Sequence, residues 1–267
     1  MRTRSLVLAL AASVALLAPG ARASEDNPLM PKRVFKTAIV TYTVSGQFQK
    51  GTETRYIDGE RMRTEQRFTQ SGPVPGGKSK IELVLPDYIY RWDVGATAGQ
   101  KTKNPQKAVL AKYNALSGPE KEKFRKNAEN FADQLQAGLM AQPGMEAKRT
   151  TRKILGRECE QLEVAMVKTC LWKAGGNLPL KIDRGALYSS EATGLDLDKK
   201  IPEEKFAVPV GVTFTARPED DQMVERMADM MFNMIQSGEA PKMPALPPEM
   251  LKKMQKAPPP KAGAPNP

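Results

Sequence analysis

Apolar and polar residues alternate along the first strand-like segment of the chain. The threonines Thr37, Thr41 and Thr43 occupy one side of a two-residue period. The other side carries the apolar residues Val34, Ala38, Val40, Tyr42 and Val44. Alternation of this kind, rich in β-branched residues, predicts a strand with one buried face.

Turn residues divide the following region into further strands. Asp58-Gly59 favours a two-residue hairpin turn and predicts antiparallel strands over about 50–57 and 60–69. Two more strands are predicted within 80–94, with the turn at Pro86-Asp87. Strand patterns return after position 147 in KRTTRKIL, ECEQLEV, KTCLWK and LPLKIDRG, and a last pair is predicted over 185–195 and 203–216.

Helical spacing interrupts the strands between positions 104 and 142. Ser117 is a suitable N-cap there. The apolar residues that follow recur at three- and four-residue intervals, at Phe124, Ala128, Phe131, Leu135 and Leu139. Another amphipathic helix is predicted over 219–237, with acidic residues in its first turn. Because the helices are grouped and do not alternate with the strands, the predicted class is α+β on an antiparallel sheet.

The two ends of the chain differ from this pattern. Residues 1–23 have the form of a secretory signal peptide: a charged start, an apolar run and a cleavage site of small residues near Ala23/Ser24. The apolar run is short for the alternative, a membrane anchor helix. The protein is therefore expected to be periplasmic or secreted. Residues 239–267 contain nine prolines and predict a disordered tail.

The chain contains two cysteines, Cys159 and Cys170. Outside the cytosol such a pair is normally oxidised, and a hairpin turn near Val164 would place the two opposite each other. A structural disulfide is the favoured prediction. The alternatives are a redox pair, which usually has the spacing C-x-x-C, and a metal site, for which the chain lacks the usual histidine ligands.

Composition argues against several functions. The chain has no histidine, so a Ser–His–Asp triad is impossible, and no nucleophile or phosphate-loop motif is present. We therefore predict a protein that is not an enzyme and has no cofactor. Removing Arg2, Arg4 and Arg22 with the signal leaves 38 basic and 30 acidic residues, a net charge of about +8. These charges are dispersed, so nucleic acid is not an expected partner.

Methionines are concentrated in the 219–237 helix. They fall on one helix face, at Met223, Met227, Met230 and Met234. Three hypotheses account for this stripe: ordinary core packing, an adaptable lid over an apolar cavity, or a soft-metal site. Trp92 and Trp172 lie on predicted strands, where each would pack in the core or line the mouth of a cavity.

Residues 33–216 resemble a known group of proteins. The segments GTETRYIDGERMRTE, YRWDVGATAGQKTKNP, LSGPEKEKFRKNAENF and ILGRECEQLEV…KTCLWKAGGNLPLKID are similar to a bacterial family of secreted proteins of unknown function, grouped with the lipoprotein-carrier (LolA/LolB-like) superfamily. The most specific matches are Gly156, Cys159, Lys168, Cys170, Trp172, Pro179, Leu180 and Lys181. The methionine-rich helix and the proline-rich tail depart from the true carriers.

The resemblance implies a fold and a function. The fold would be a curved, unclosed antiparallel β-barrel with helical lid elements, whose concave face forms an apolar cavity. We expect a periplasmic protein that binds a lipid or other apolar ligand, with the methionine stripe, Trp92 and Trp172 at the cavity. A lipoprotein or envelope protein is a further expected partner. The alternatives are an envelope-associated structural or interaction protein with a filled barrel, and a methionine-based copper-binding protein.

Overall fold

A computed structural model describes residues 27–30, 32–47, 49–71, 74–75, 79–140, 147–164 and 167–238. The predicted signal peptide over 1–23 and the predicted tail over 239–267 lie outside these residues. No helix within the described ranges is long and apolar enough to cross a membrane.

The strands form one unclosed sheet. Twelve follow a single path in the order β13-β7-β6-β5-β3-β2-β1-β12-β11-β10-β9-β8, and the short β4 pairs with β3. Their bounds are β1 Thr37–Ser45, β2 Gln49–Asp58, β3 Arg61–Ser71, β4 Val74–Pro75, β5 Ser79–Val84, β6 Tyr88–Asp93, β7 Ala98–Lys103, β8 Ala147–Ile154, β9 Arg157–Val164, β10 Val167–Trp172, β11 Leu178–Asp183, β12 Ser189–Leu197 and β13 Thr213–Thr215. All neighbours are antiparallel except β13 and β7. The predicted α+β class is therefore confirmed at this level.

Within the described ranges, three α-helices accompany the sheet: α1 Pro105–Asn114, α2 Gly118–Met140 and α3 Pro218–Ser237. Asn104 caps α1 by accepting a hydrogen bond from the backbone N–H of Gln106 at 3.0 Å. At the start of α2 the expected cap residue Ser117 donates from both its N–H and its Oγ to Oε2 of Glu120. The contact of the carboxylate with the backbone N–H is one half of a capping box.

The β2–β3 hairpin differs from its prediction by one residue. Asp58 pairs with Arg61, so the two loop residues are Gly59 and Glu60, not Asp58 and Gly59. Gly59 has φ +54°, a conformation that glycine adopts without the steric cost of a Cβ. Gly59 thus occupies the first of the two loop positions, where the prediction had it second, and the strand register shifts accordingly.

The predicted strand over 203–216 is mostly not a strand. Its first residues form a 3-10 turn, Glu203–Phe206, and only Thr213–Thr215 pair with the sheet. The segment packs on the outer face of the sheet, where Ile201 and Phe206 join a buried cluster with Leu83 and Trp92. Burial of its aromatic and aliphatic side chains, without backbone pairing, accounts for its apolar pattern.

Helix α3 does not bury the predicted methionine stripe. Its buried residues are Ala228, Met231, Phe232 and Ile235, which pack with residues of α1 and α2. Met223 and Met230 are each 46% exposed. Met227 and Met234 are half-buried.

Burial of the apolar face against α1 and α2 accounts for this orientation of α3, and two exposed ion pairs accompany it. Two acidic residues of α3 contact lysines of neighbouring elements. Glu225 pairs with Lys103 of β7 at 2.6 Å, and Asp229 pairs with Lys112 of α1 at 2.9 Å. The helices pack on one another through the apolar cluster, beside β7. The expectation that the stripe faces the concave side of the sheet is not met.

We expect the methionines of α3 to differ in their contribution to stability. Changing Met231 to alanine should lower the free energy of unfolding by about 2–4 kcal/mol, because a buried side chain is removed. The double change Met223→Ala/Met230→Ala should cost at most about 0.5 kcal/mol per site, since both side chains are exposed. Urea denaturation measures both. A larger loss in the double variant would show that the exposed stripe packs against another part of the protein.

Candidate functional site: a cavity on the concave face of the sheet

A cavity of about 510 Å³ lies against one face of the sheet. One wall is formed by β2, β3, β5, β6 and β7, and the other by Pro179 and Ile182 of β11. In the sheet, β11 is separated from β2 by β1 and β12. Both can line one cavity only if the sheet curves around it, so this face is concave. The volume lies within the range of small-molecule sites.

Strand register arranges the concave face in rows. Residues paired across neighbouring strands share a face, so each row runs across β2, β3, β5 and β6. The row nearest the helices is apolar: Ile57, Met62, Val84 and Ile89. The next two rows are polar: Arg55, Thr64, Glu82 and Arg91, then Glu53, Gln66, Lys80 and Asp93. All eight residues of the two polar rows line the cavity, and Met62 lines it from the apolar row.

A buried ion pair forms the floor of the cavity. The side chain of Glu53 is 2% exposed and that of Arg55 is 15% exposed. Nε of Arg55 donates to Oε1 of Glu53 at 2.6 Å, and Nε2 of Gln66 donates to Oε2 at 2.8 Å. Both oxygens of the carboxylate are therefore hydrogen-bonded, as a buried charge requires.

Tyr42 supports this pair from β1. Its ring lies 4.9 Å from the guanidinium carbon of Arg55, and its hydroxyl donates to the carbonyl oxygen of Pro179 at 3.0 Å. Burial raises the pKa of Tyr42 to about 12 against the opposing effect of Arg55. For Arg55, burial lowers the pKa, but Tyr42 and Glu53 raise it by more. The phenol is thus neutral and the guanidinium charged over the physiological range.

The outer part of the cavity is more exposed. Nε of Arg91 donates to Oε2 of Glu82 at 2.5 Å, with both side chains accessible to solvent. Lys80 and Asp93 are paired in register on β5 and β6, but neither forms an ion pair within the described part of the chain. Charge therefore extends from the buried floor to the solvent side.

The two tryptophans pack in separate clusters. Trp92 is buried in the outer-face cluster, 5.6 Å from the ring of Phe214, although it also borders the cavity. Trp172 stacks on Phe35 at 5.9 Å between ring centroids and is not among the cavity residues. Trp172 therefore packs in the core, which was one of its two predicted positions. Only Trp92 borders the cavity.

The predicted disulfide is present. Cys159 and Cys170 are bonded, with their Cα atoms 5.4 Å apart. Gln161, not Cys159, lies opposite Cys170 in the β9–β10 hairpin, so the bond is diagonal. The bonded pair lies in the buried cluster with Trp172 and is not among the residues that line the cavity, so its role is structural.

The polar floor was not anticipated from the sequence. A signal for it exists in TETRYID, where Glu53 and Arg55 share the two-residue period of the buried Ile57. Charged residues at inward positions of a strand indicate a polar interior. Within the described residues, no group of three or more His, Cys, Asp and Glu residues could hold a metal ion.

Comparisons with known proteins give only distant similarities. No protein-family model and no curated protein matches the chain. A solved structure of PNGF-II, in the P21 space group, has a TM-score of 0.39 and 12% identity, and the match covers 72% of this chain and 34% of that one. An uncharacterized conserved protein from Thermus thermophilus has a TM-score of 0.38 and 9% identity, over 68% of this chain and 91% of that one. This chain thus spans about a third of PNGF-II, and neither similarity supports an argument about function.

Proposed function

We propose that this chain is a non-enzymatic protein of the periplasm or cell exterior, with a LolA-like half-barrel that binds one amphiphilic molecule on its concave face. The observation that carries the proposal is the graded cavity. Its apolar lining includes Met62, Pro179 and Ile182, and its polar rows hold Arg55, Glu53 and the more exposed Lys80. A ligand with an apolar part and a polar head matches both regions.

The polar lining changes the expected ligand. A wholly apolar molecule would displace water from Arg55 and from the more exposed Glu82 and Lys80 without replacing its hydrogen bonds. Uncompensated burial of polar groups is costly, by about 1–3 kcal/mol per group in proteins. A ligand with a polar head avoids this cost. The open volume of about 510 Å³ also favours ligand binding over a barrel filled by its own side chains.

The disulfide supports the proposed location. Structural disulfides persist in oxidising compartments such as the periplasm and the cell exterior. The bond between Cys159 and Cys170 is buried, in keeping with a permanent structural element. Together with the secretory pattern of residues 1–23, it favours an envelope or extracellular role.

Binding of a dansyl-labelled fatty acid tests the function. The wild-type protein should enhance the fluorescence of the probe in a saturable way. Gln100→Trp places a large ring at the exposed edge of the cavity and should weaken binding about tenfold or more, equivalent to about 1.4 kcal/mol. Lys101→Trp is the matched control, because the neighbouring residue of β7 points to the opposite face.

The control variant should bind the probe within about twofold of wild type. Native mass spectrometry of protein purified from its own cell envelope should show a bound amphiphile. A bare mass together with no saturable probe binding by wild type would overturn the proposed function and favour the filled-barrel alternative.

A further inference from the structure

Arg55 has unused hydrogen-bonding capacity. Its Nε is engaged by Glu53, but no atom of the described residues accepts a hydrogen bond from Nη1 or Nη2. The side chain lines the cavity and is 15% exposed. A guanidinium carries five N–H donors in a rigid fork. As far as the described residues go, the four donors on the two terminal nitrogens are therefore available to a ligand.

The fork is held in place from several sides. Glu53 binds Nε at 2.6 Å and is itself held by Gln66 at 2.8 Å. The Tyr42 ring lies 4.9 Å from the guanidinium carbon. The hydroxyl of Tyr42 in turn bonds to Pro179 on the facing wall. A group fixed in this way loses little conformational entropy when a ligand binds, which favours specific recognition.

The nearby carboxylates do not block an anion from this position. Both oxygens of Glu53 already accept hydrogen bonds, and its charge is balanced by Arg55 itself. Glu82 is paired with Nε of Arg91 in the same way. Asp93 lies one row farther out than Arg55 on the concave face, beside its register partner Lys80. Of the cations that line the cavity, Arg55 is the least exposed, at 15% against 49% for Arg91, while Lys80 is on the solvent side.

Building on the proposed function, we propose that Arg55 binds the anionic oxygens of the ligand's head group, carboxylate or phosphate, through Nη1 and Nη2. The ligand class is thus an anionic amphiphile. The planar fork matches two oxygens of either group at once, and charge-assisted bidentate bonds are stronger than neutral ones. Neutral amphiphiles, such as alcohols with the same alkyl chain, offer one oxygen and no charge.

Matched ligands separate this inference from the proposed function. Dodecanoate, dodecyl phosphate and dodecanol share one alkyl chain and differ in the head group. Calorimetric titration of the wild-type protein should show at least one of the two anions binding about tenfold or more tighter than dodecanol. The comparison of the two anions identifies which oxyanion the site prefers.

Substitution of Arg55 should remove that preference. In Arg55→Met, the affinity for the preferred anion should fall to that for dodecanol, while dodecanol binding stays within about twofold of wild type. Because this change leaves Glu53 buried without its partner, the double variant Glu53→Gln/Arg55→Met is measured in parallel. The double variant removes both charges, so it keeps the fold testable. Arg63→Met is the matched control: Arg63 pairs with Glu65 at 2.9 Å on the outer face of β3 and is similarly buried.

Distinct results overturn the two proposals. If dodecanol binds wild type as tightly as both anions, or if the double variant keeps the anion preference, the role of Arg55 is wrong while the cavity remains a binding site. Loss of the preference in Arg63→Met as well would also overturn it, since the effect would not depend on the cavity. If none of the three ligands binds the wild type, the proposed function fails and this inference fails with it.

Discussion

Replacing Glu53 with alanine should lower the free energy of unfolding by about 3 kcal/mol. Breaking a buried ion pair by removing one partner typically costs about 3–5 kcal/mol, because the other charge remains buried. We expect the lower end of that range. Arg55 is 15% exposed and borders an open cavity, so water can reach its terminal nitrogens. Gln66 would also lose the carboxylate to which it donates.

Glu82→Ala provides the matched control for this change. Glu82 lies on the same concave face and pairs with Nε of Arg91, but the side chains are 32% and 49% exposed. Exposed ion pairs contribute at most about 1 kcal/mol. Urea denaturation of both variants and wild type, followed by circular dichroism, measures the difference. Equal losses in the two variants would show that burial does not set the energy of the Glu53–Arg55 pair.

Removing the disulfide should have an effect of similar size. The double change Cys159→Ala/Cys170→Ala opens a loop with a sequence separation of 11 residues. Cross-linking a loop of this length contributes about 3 kcal/mol by restricting the unfolded chain. For a domain of this size that corresponds to a fall in Tm of about 6–12 °C. Thermal melts of the oxidised protein and of the double variant give the shift.

Reduction supplies an independent control. Wild type in excess dithiothreitol should melt close to the double variant, since both lack the same cross-link. Thiol labelling of denatured, unreduced protein should find no free cysteine, in agreement with the bonded pair. Identical melting curves for oxidised and reduced wild type would contradict the stabilising role of the bond.

Local periodicity was sufficient for most of the secondary structure. Alternation predicted β1, β5 and β6, and the spacing of Phe124, Ala128 and Phe131 predicted the buried face of α2. These successes have one cause: the side chains of a regular element repeat at a fixed period, so a buried face is visible along the chain. The polar strand β7, AGQKTK, was missed because it carries no alternating apolar residues. Its assignment depends on pairing with β6 and β13.

The orientation of α3 was decided by its neighbours. The sequence placed four methionines on one face, but Phe232 and Ile235 mark an adjacent face that is also apolar. Packing against Val109 and Tyr113 of α1 and Phe124 of α2 favours burial of the second face, and exposed ion pairs with lysines of β7 and α1 accompany that orientation. The partners lie more than a hundred positions away along the chain, so helical periodicity carries no information about them.

The cavity also depends on contacts between parts of the chain that are far apart in sequence, whereas the elements that line it follow from local spacing. From the sequence alone came the strands, the α+β class and the cysteine pairing, each of which follows from local spacing or compartment. The alternation in TETRYID puts Glu53 and Arg55 on one face of β2, but nothing local indicates that this face forms the floor of a cavity. That outcome requires β11 to curve over from three strands away and place Pro179 opposite Arg55. Contacts between distant strands depend on the packing of the whole sheet, and therefore only the tertiary structure decided that the interior is polar at one end and apolar at the other.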